Sequence, residues 1–260
     1  MAVYLCGIDE TSGRTQRDKF LMSGFLAPEC EWTDNISPSW ERRVLAGPPR
    51  IPYLHMTDMR SPKWREEYGL SRVDADARID AAIDVIDEAK TLVPIGIEVN
   101  GGKVRDNLSG MRVVHPKNGN AALGPDYLCF MAYSYLALKH VAESYPDAKK
   151  VDFLVERNGR TTAFIQEFHR GLGRCFEVME RPDLAKLLGK LLPASKERIP
   201  VQAADVLCWH TARPKETMDE LDLRRWEKLS TKIGFRSTLS GEFIRELAVI
   251  LSEPENSEDV

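Results

Sequence analysis

The sequence predicts an α/β fold in which a mixed β-sheet is flanked by helices. Short apolar runs such as "AVYLCGI", "KFLMSGFLA" and "KVDFLVE" are typical of buried strands. Longer apolar or amphipathic stretches alternate with the later runs and are typical of helices. The chain has 260 residues, of which 43% are hydrophobic, and this is enough to bury a full core. The expected order is strand, strand, helical segment, strand, helix, strand, helix, strand, helix.

The first two strands are expected to form a hairpin. "AVYLCGI" predicts a strand over residues 2–9, "TSGRTQRD" has turn chemistry, and "KFLMSGFLA" supplies the second strand. Residues 28–70 contain several prolines and tryptophans, so we expect irregular structure with a short helix near "SPSWERRVL". An amphipathic helix capped by Ser71 follows. Its expected apolar face steps by four residues: Val73, Ala77, Ala81, Val85 and Ala89.

The second half alternates strands and helices. "TLVPIGIEVN" is a predicted strand, and residues 101–124 read as a long loop before the apolar helix "PDYLCFMAYSYLALKHVAESY". After "KVDFLVE" we expect a helix, a strand near "KLLGKLLPA", the helix "IPVQAADVLCWHTAR", and one or two further helices. We interpret residues 1–251 as a single domain with a helical insertion at about residues 28–90. Residues 252–260 are predicted to be a disordered acidic tail.

Composition and charge exclude several classes of protein. The formal net charge is −4, so a nucleic-acid partner would have to be held by local basic patches. The five scattered cysteines form no C-x-x-C pair, which is typical of reduced thiols in the cytoplasm. The first residues do not resemble a signal peptide, and the most apolar helical stretch is too short to span a bilayer. We therefore expect a cytoplasmic protein with no membrane partner.

Three acidic residues occupy unusual positions at the ends of buried elements. Asp9 ends the first apolar strand, Glu156 ends "KVDFLVE", and Asp205 lies among apolar residues in "VQAADVLCW". Acids are rarely buried unless they are paired or bind metal. If they converge, they would repel one another without a cation, and Mg²⁺ or Mn²⁺ prefers such oxygen ligands. Two such ions would suit the attack of water on a phosphodiester.

Each acid also has a simpler interpretation, which the sequence leaves open. Asp9 and Glu10 would then begin a solvated turn, and Glu156 would be the last exposed residue of its strand. Asp205 would be a buried cap or an ion-pair partner. Its surroundings are the least compatible with this simpler interpretation, because its neighbours are almost all apolar.

Three further side chains are candidates for supporting roles. His55, near Asp58 in "YLHMTDM", is a candidate for assisting proton transfer, although a structural or surface histidine is the alternative. Glu10 and Gln202 are candidate outer-shell partners of the acids. Gln202 shares a helix face with Asp205. Glu10 points away from Asp9 unless the strand ends there.

Basic residues are expected to hold the phosphate backbone of a nucleic-acid partner. They lie in the long loop and directly after Glu156, and an ordinary solvated loop is the alternative. Lys196 and Arg198 precede the Asp205 helix. The candidates for nucleic-acid binding are Lys103, Arg105, Arg112, Lys117, Arg157 and Arg160.

Three motifs resemble the domain-of-unknown-function 3800 family. "IDETSG" is similar to its Asp-Glu-Ser-Gly opening, "PVQAADVLCW" to its late Gln-x-x-Asp helix, and "VDFLVERNG" to its intervening strand that ends in an acid. The motifs span residues 6–208, with Thr11 where Ser is usual and Glu156 where Asp is also common. The resemblance implies a ribonuclease-H-like α/β fold, with the insertion between strands two and three, and a metal-dependent nuclease.

The functional hypothesis is hydrolysis of phosphodiester bonds in DNA or RNA by a two-metal mechanism. Asp9, Glu156 and Asp205 would hold Mg²⁺ or Mn²⁺, and His55 would assist. Two alternatives stay open. One is a catalytically silent module of the same fold that binds nucleic acid or protein. The other is a phosphoesterase that acts on a non-nucleic substrate.

Overall fold

A six-stranded mixed sheet forms the centre of the molecule. The computed structural model describes residues 2–12, 19–100, 104, 112–115, 119–122, 124–157, 160–232 and 235–239. Within these residues the strand order is β7-β6-β1-β2-β3-β8, and β4 pairs with β5 in a separate hairpin. The strands are β1 Val3–Ser12, β2 Lys19–Pro28, β3 Val93–Asn100, β4 Arg112–His115, β5 Gly119–Ala122, β6 Lys150–Glu156, β7 Leu188–Ala194 and β8 Phe235–Thr238.

The directions of the strands make the sheet mixed, as the sequence predicts. β1, β2 and β3 are antiparallel neighbours, while β6 runs parallel to β1, β7 to β6, and β8 to β3. The strand expected near "KLLGKLLPA" is confirmed. Two expectations are wrong: part of the long loop forms the β4–β5 hairpin, and β8 stands where only helices were expected. The predicted acidic tail, residues 252–260, lies outside the described residues.

Helices cover both faces of the sheet. They are α1 Glu29–Glu31, α2 Ser37–Trp40, α3 Met56–Arg60, α4 Pro62–Glu67, α5 Arg72–Glu88, α6 Pro125–Ser144, α7 Arg160–Val178, α8 Pro182–Leu187, α9 Ile199–Ala212 and α10 Glu220–Ser230. π-helical turns at Trp32–Ile36 and Glu41–Leu45 follow α1 and α2, and a 3₁₀ turn occupies Lys215–Thr217. The segment between β2 and β3 is therefore more helical than the sequence predicts.

Helix α5 begins where expected but buries a different face. The side chain of Ser71 accepts a hydrogen bond from the backbone nitrogen of Asp74. The carboxylate of Asp74 accepts one from the backbone nitrogen of Ser71, which completes a capping box. Val73, placed on the predicted apolar face, is 78% exposed. A strict four-residue step drifts by about 40° per step around a helix, so it does not follow one face. The buried residues are Ala75, Arg78, Ile79, Ala82, Ile83, Val85 and Ile86.

The alternation of side chains along β1 divides the core into two halves. Tyr4, Cys6 and Ile8 pack with residues of α6 in what we call the α6-side core. Leu5, on the opposite face of β1, packs with Phe25 and with α9 in the α9-side core. The position of a residue along β1 therefore decides which layer its side chain enters.

Small residues allow α9 to lie directly on the sheet. A Cβ atom at Gly7 would stand 2.2 Å from the carbonyl oxygen of Pro200, so the close approach of α9 to β1 requires glycine there. Ala203 and Ala204 are fully buried in the same helix, as the sequence suggests. Asp205 follows them, and this packing holds its carboxylate near the sheet.

Candidate functional site

The register of two parallel strands brings Asp9 and Glu156 together. Ile8 in β1 pairs with Val155 in β6, so the next residue of each strand is Asp9 and Glu156. Two residues earlier, Gly7 pairs with Leu154, which belongs to the α9-side core. Because side chains alternate along a strand, both carboxylates point to the face that α9 covers.

Asp205 joins them from α9. Its side chain is buried, with a relative exposure of 7% for the residue, and its helix packs on β1 and β2. We call Asp9, Glu156 and Asp205 the carboxylate site. It draws one acid from each of three elements that are far apart in sequence, and the three charges interact, as the pKa values show.

Burial raises the pKa values of two acids of the carboxylate site, Asp9 and Asp205. Burial is the largest cause that raises the pKa of Asp9 well above its usual range, and the charges of Asp205 and Glu156 raise it further. Burial also raises the pKa of Asp205 to about 6, although His55 and a backbone hydrogen bond from Met56 oppose the rise. Carboxylates that suppress one another's ionisation are characteristic of functional sites.

The Gln202 and Asp205 side chains hold an extended segment against α9. Gln202 Oε1 accepts hydrogen bonds from Trp40 Nε1 at 2.8 Å and from the backbone nitrogen of Leu54 at 3.0 Å. One helical turn later, Asp205 Oδ2 accepts from the backbone nitrogen of Met56 at 2.6 Å. The residues at i and i+3 on the helix therefore bind alternate N–H groups of the segment. Gln202 positions this segment beside the carboxylate site.

His55 lies between the two anchored residues and faces the carboxylate site. Its Nε2 is 4.0 Å from Asp205 Oδ1, and its Nδ1 is 3.1 Å from Asp58 Oδ2. Lys196 Nζ lies 3.2 Å from the same Nδ1 and 3.4 Å from Asp58 Oδ2. Nδ1 therefore either donates to Asp58 or accepts from Lys196. In the first case a neutral ring carries its proton on Nδ1. Nε2 is then unprotonated and can accept a proton on the side of Asp205.

Glu10 points away from the carboxylate site. The sequence suggests that β1 ends near Asp9, but the strand continues to Ser12. Glu10 pairs with Met22, a residue of the α6-side core, and so belongs to the opposite face of the sheet from Asp9.

Only part of the predicted basic set can be located. Arg157 is exposed directly after β6, and it lines a cavity with Lys196 and Arg198. The backbones of Arg112 and Arg160 begin β4 and α7. Lys103, Arg105 and Lys117 lie outside the described residues.

Sequence reasoning missed the contacts that orient His55. The three-residue spacing of His55 and Asp58 is the signal in the sequence for their contact. In the sequence, Lys196 is only a cation that precedes the Asp205 helix. It is separated by 141 positions from His55, so no local pattern could reveal that they meet.

Comparisons with known proteins identify no relative of this chain. A scan against family models and searches among curated proteins and solved structures gave no match for this chain. None of the helices that the structure describes is long and apolar enough to cross a membrane.

The carboxylate site offers the kind of ligand that a hard divalent cation prefers, because its three acids supply carboxylate oxygens and two of them, Asp9 and Asp205, are buried. Their arrangement is looser than that of a formed metal site. Within the described residues, no three side chains of His, Cys, Asp or Glu are grouped as a ligand set for a metal ion.

Proposed function

We propose that this protein is a divalent-metal-dependent nuclease with a ribonuclease-H-like fold, related to the domain-of-unknown-function 3800 family. The observation that carries the proposal is the meeting of Asp9, Glu156 and Asp205, with the pKa of Asp9 raised first by burial and then by the other two acids. Three antiparallel strands with two parallel strands beside β1 are compatible with that fold. The helical segment between β2 and β3 would be its insertion.

In this proposal the three carboxylates hold Mg²⁺ or Mn²⁺. The bound cation would supply activation of water and stabilisation of the leaving oxygen. Asp205 Oδ2 is already held by the backbone N–H of Met56, so the carboxylate is fixed before any ligand arrives. A carboxylate held in this way loses little conformational entropy when it binds a ligand.

His55 would move a proton at Nε2. Its ring is fixed through Nδ1 by Asp58 or Lys196, and Nε2 is turned towards Asp205. This arrangement suits general acid–base work on a group bound at the carboxylate site. The exposed Arg157 and the half-buried Lys196 would attract the phosphates of the substrate towards it.

A cleavage assay tests the proposal. Purified protein is incubated with single-stranded and double-stranded DNA and RNA in Mg²⁺, Mn²⁺ or EDTA. We expect metal-dependent cleavage that Asp9→Asn and Asp205→Asn each reduce by about a thousandfold, because each removes a negatively charged ligand. The control is Asp147→Asn, an exposed acid between α6 and β6.

Titration calorimetry with Mn²⁺ separates metal binding from turnover. We expect heat of binding with the unmodified protein and a large loss of affinity in Asp9→Asn. Cleavage that persists in EDTA, or that Asp9→Asn leaves unchanged, would refute the assignment of the reaction to this site.

A further inference from the structure

A cavity opens directly beside the carboxylate site. It has a volume of 560 Å³ and lies at the ends of β6 and β7, where the chain turns into α9. Its lining includes Glu156, Arg157, Leu192, Lys196 and Arg198. Since Glu156 belongs to both, a molecule in the cavity meets the carboxylate site at Glu156.

The lining combines positive charge with exposed apolar surface. Arg157, Lys196 and Arg198 supply positive charge on a protein whose net charge is −4. Leu192 forms part of the wall with 41% of its surface exposed, which is high for a leucine. A nucleotide has the matching parts, because its phosphate is anionic and its base presents a flat apolar face. The volume is within the usual range for small-molecule sites.

Lys196 also lies close to a row of aromatic rings. Lys196 Nζ lies 5.8 Å from the centre of the Tyr53 ring. Tyr53 is 5.9 Å from Trp64, and Trp64 is 4.5 Å from Tyr68, measured between ring centres. All three rings are partly exposed. Lys196 also contacts His55, so it stands between the cavity, the aromatic row and the carboxylate site.

We propose that the cavity and the aromatic row bind a single-stranded nucleic acid, with one unstacked nucleotide in the cavity and further bases against the rings. This inference rests on the proposed function and specifies its substrate class. The bases of a duplex are paired and stacked, so a single base can neither enter the cavity nor lay its face against aromatic side chains. Arg157, Lys196 and Arg198 bind the backbone of the strand that crosses between the two regions.

Fluorescence anisotropy in EDTA measures binding without cleavage. The probes are a labelled 12-nucleotide DNA, the RNA of the same sequence, and the matching DNA duplex. We expect at least one of the single strands to bind about tenfold more tightly than the duplex, because stacking on proteins is available only to unpaired bases. Equal binding, or tighter binding of the duplex, would overturn the inference.

Filling the cavity tests the subsite without changing charge. Leu192→Trp places an indole in the space, and Val178→Trp is the control, since Val178 is 50% exposed and does not line the cavity. We expect Leu192→Trp to weaken single-strand binding by about tenfold and Val178→Trp to leave it unchanged. Unchanged binding by a folded Leu192→Trp would overturn the inference.

A charge variant and a ring variant make the test independent of Leu192. The double change Arg157→Ala with Arg198→Ala should weaken single-strand binding and flatten its salt dependence, whereas Lys190→Ala, an exposed cation earlier on β7, should do neither. Tyr53→Ala should weaken binding while Tyr53→Phe, which keeps the ring, should not. An unchanged salt dependence in the double variant, or equal effects of the two Tyr53 changes, would count against the inference.

These measurements separate the two proposals. Selective single-strand binding that Leu192→Trp disrupts, without metal-dependent cleavage, would support the subsite and refute the nuclease. Cleavage that depends on Asp9 but acts equally on duplexes would support the nuclease and refute the single-stranded subsite.

Discussion

Two buried charged regions of this protein are built on opposite principles. In the carboxylate site, burial raises the pKa values of Asp9 and Asp205, and the charge of Glu156 raises both further. In a second region, which we call the arginine cluster, acids from α5 and α10 are each matched by guanidinium groups. The cluster consists of Arg60, Asp76, Asp80, Arg213, Asp222 and Arg225.

The comparison is sharpest between Asp9 and Asp222, because both are buried aspartates. Asp222 is 2% exposed and contacts Arg60 at 2.5 Å, Arg213 at 2.5 Å and Arg225 at 3.3 Å. Burial disfavours its ionised form, but the charges of Arg60 and Arg213 outweigh burial and hold the pKa below its usual range. For Asp9, the neighbouring charges of Asp205 and Glu156 add to the effect of burial, so its pKa is raised.

The difference indicates two distinct roles for buried charge. The arginine cluster joins α3, α5 and α10, so its ion pairs hold together helices that lie around α9. The carboxylate site weakens the fold whenever its acids are ionised. Such a site persists when it is useful to function, for example in holding a cation.

The largest expected effect comes from breaking the arginine cluster. Arg225→Met removes the cation that contacts Asp76, Asp80 and Asp222 together, and removing one partner of a buried ion pair typically lowers stability by about 3–5 kcal/mol. The measurement is urea unfolding at neutral pH. Arg224→Met, at the exposed neighbouring position, is the control. A loss below about 1 kcal/mol would show that the cluster is not a stabilising network.

A divalent cation should stabilise the folded protein by binding at the carboxylate site and not at the arginine cluster. At about one hundred times its dissociation constant, Mn²⁺ should raise the free energy of unfolding by about 2.7 kcal/mol, because it binds the folded state alone. Asp9→Asn should remove most of this gain. Calorimetric or fluorimetric melting with and without Mn²⁺ measures it. If Mn²⁺ stabilised Asp9→Asn as much as the unmodified protein, the cation would bind at another site.

The same substitution should have opposite effects in the two regions. In EDTA at neutral pH, Asp9→Asn should stabilise the protein by roughly 1–2 kcal/mol, because it removes a repelled buried charge. Asp222→Asn should destabilise it, since Arg60, Arg213 and Arg225 lose their counter-ion. Urea unfolding of both variants gives the two signs. A loss of stability in Asp9→Asn would mean that its carboxylate is already compensated.

The elements of the fold were more predictable than the faces they bury or the contacts they make. Strands such as β6 and the helix α9 follow from local patterns, and so do the isolated acids Glu156 and Asp205. The buried face of α5 did not follow, because alanines mark a face weakly and Arg78 is buried there. Its guanidinium donates to the backbone carbonyls of Gly47 and Pro49, contacts that no periodicity records.

The arginine cluster escaped the sequence for a related reason. Arg225 meets Asp76 and Asp80 across more than 140 positions, and each residue alone looks like an ordinary charge on the surface of a helix. The acids of the carboxylate site were visible because their neighbours are apolar. The contacts around His55 are not visible in the sequence, because they join segments that are far apart along the chain.

The last expected effect is a pH dependence that Asp205 contributes. Its pKa is raised from 3.8 to about 6 in the folded protein, mainly by burial. Between these two values the folded state holds a proton that the unfolded state has released. Stability from this group therefore falls as pH rises through the window from about 4 to about 6, with a slope of at most about 1.4 kcal/mol per pH unit.

The difference between the unmodified protein and Asp205→Asn isolates this contribution, since other acids titrate in the same range. Asparagine keeps an oxygen that can accept the N–H of Met56, so the anchor of the segment is retained. In EDTA, the unmodified protein should lose stability relative to Asp205→Asn from pH 4 to pH 6, and the difference should level off above pH 7. For Asp222→Asn the comparison should run the other way: the unmodified protein gains relative stability as pH rises, because the pKa of Asp222 is lowered. Parallel stability curves for the unmodified protein and Asp205→Asn would show that Asp205 ionises normally, and the contrast between the two charged regions would then rest on Asp9 alone.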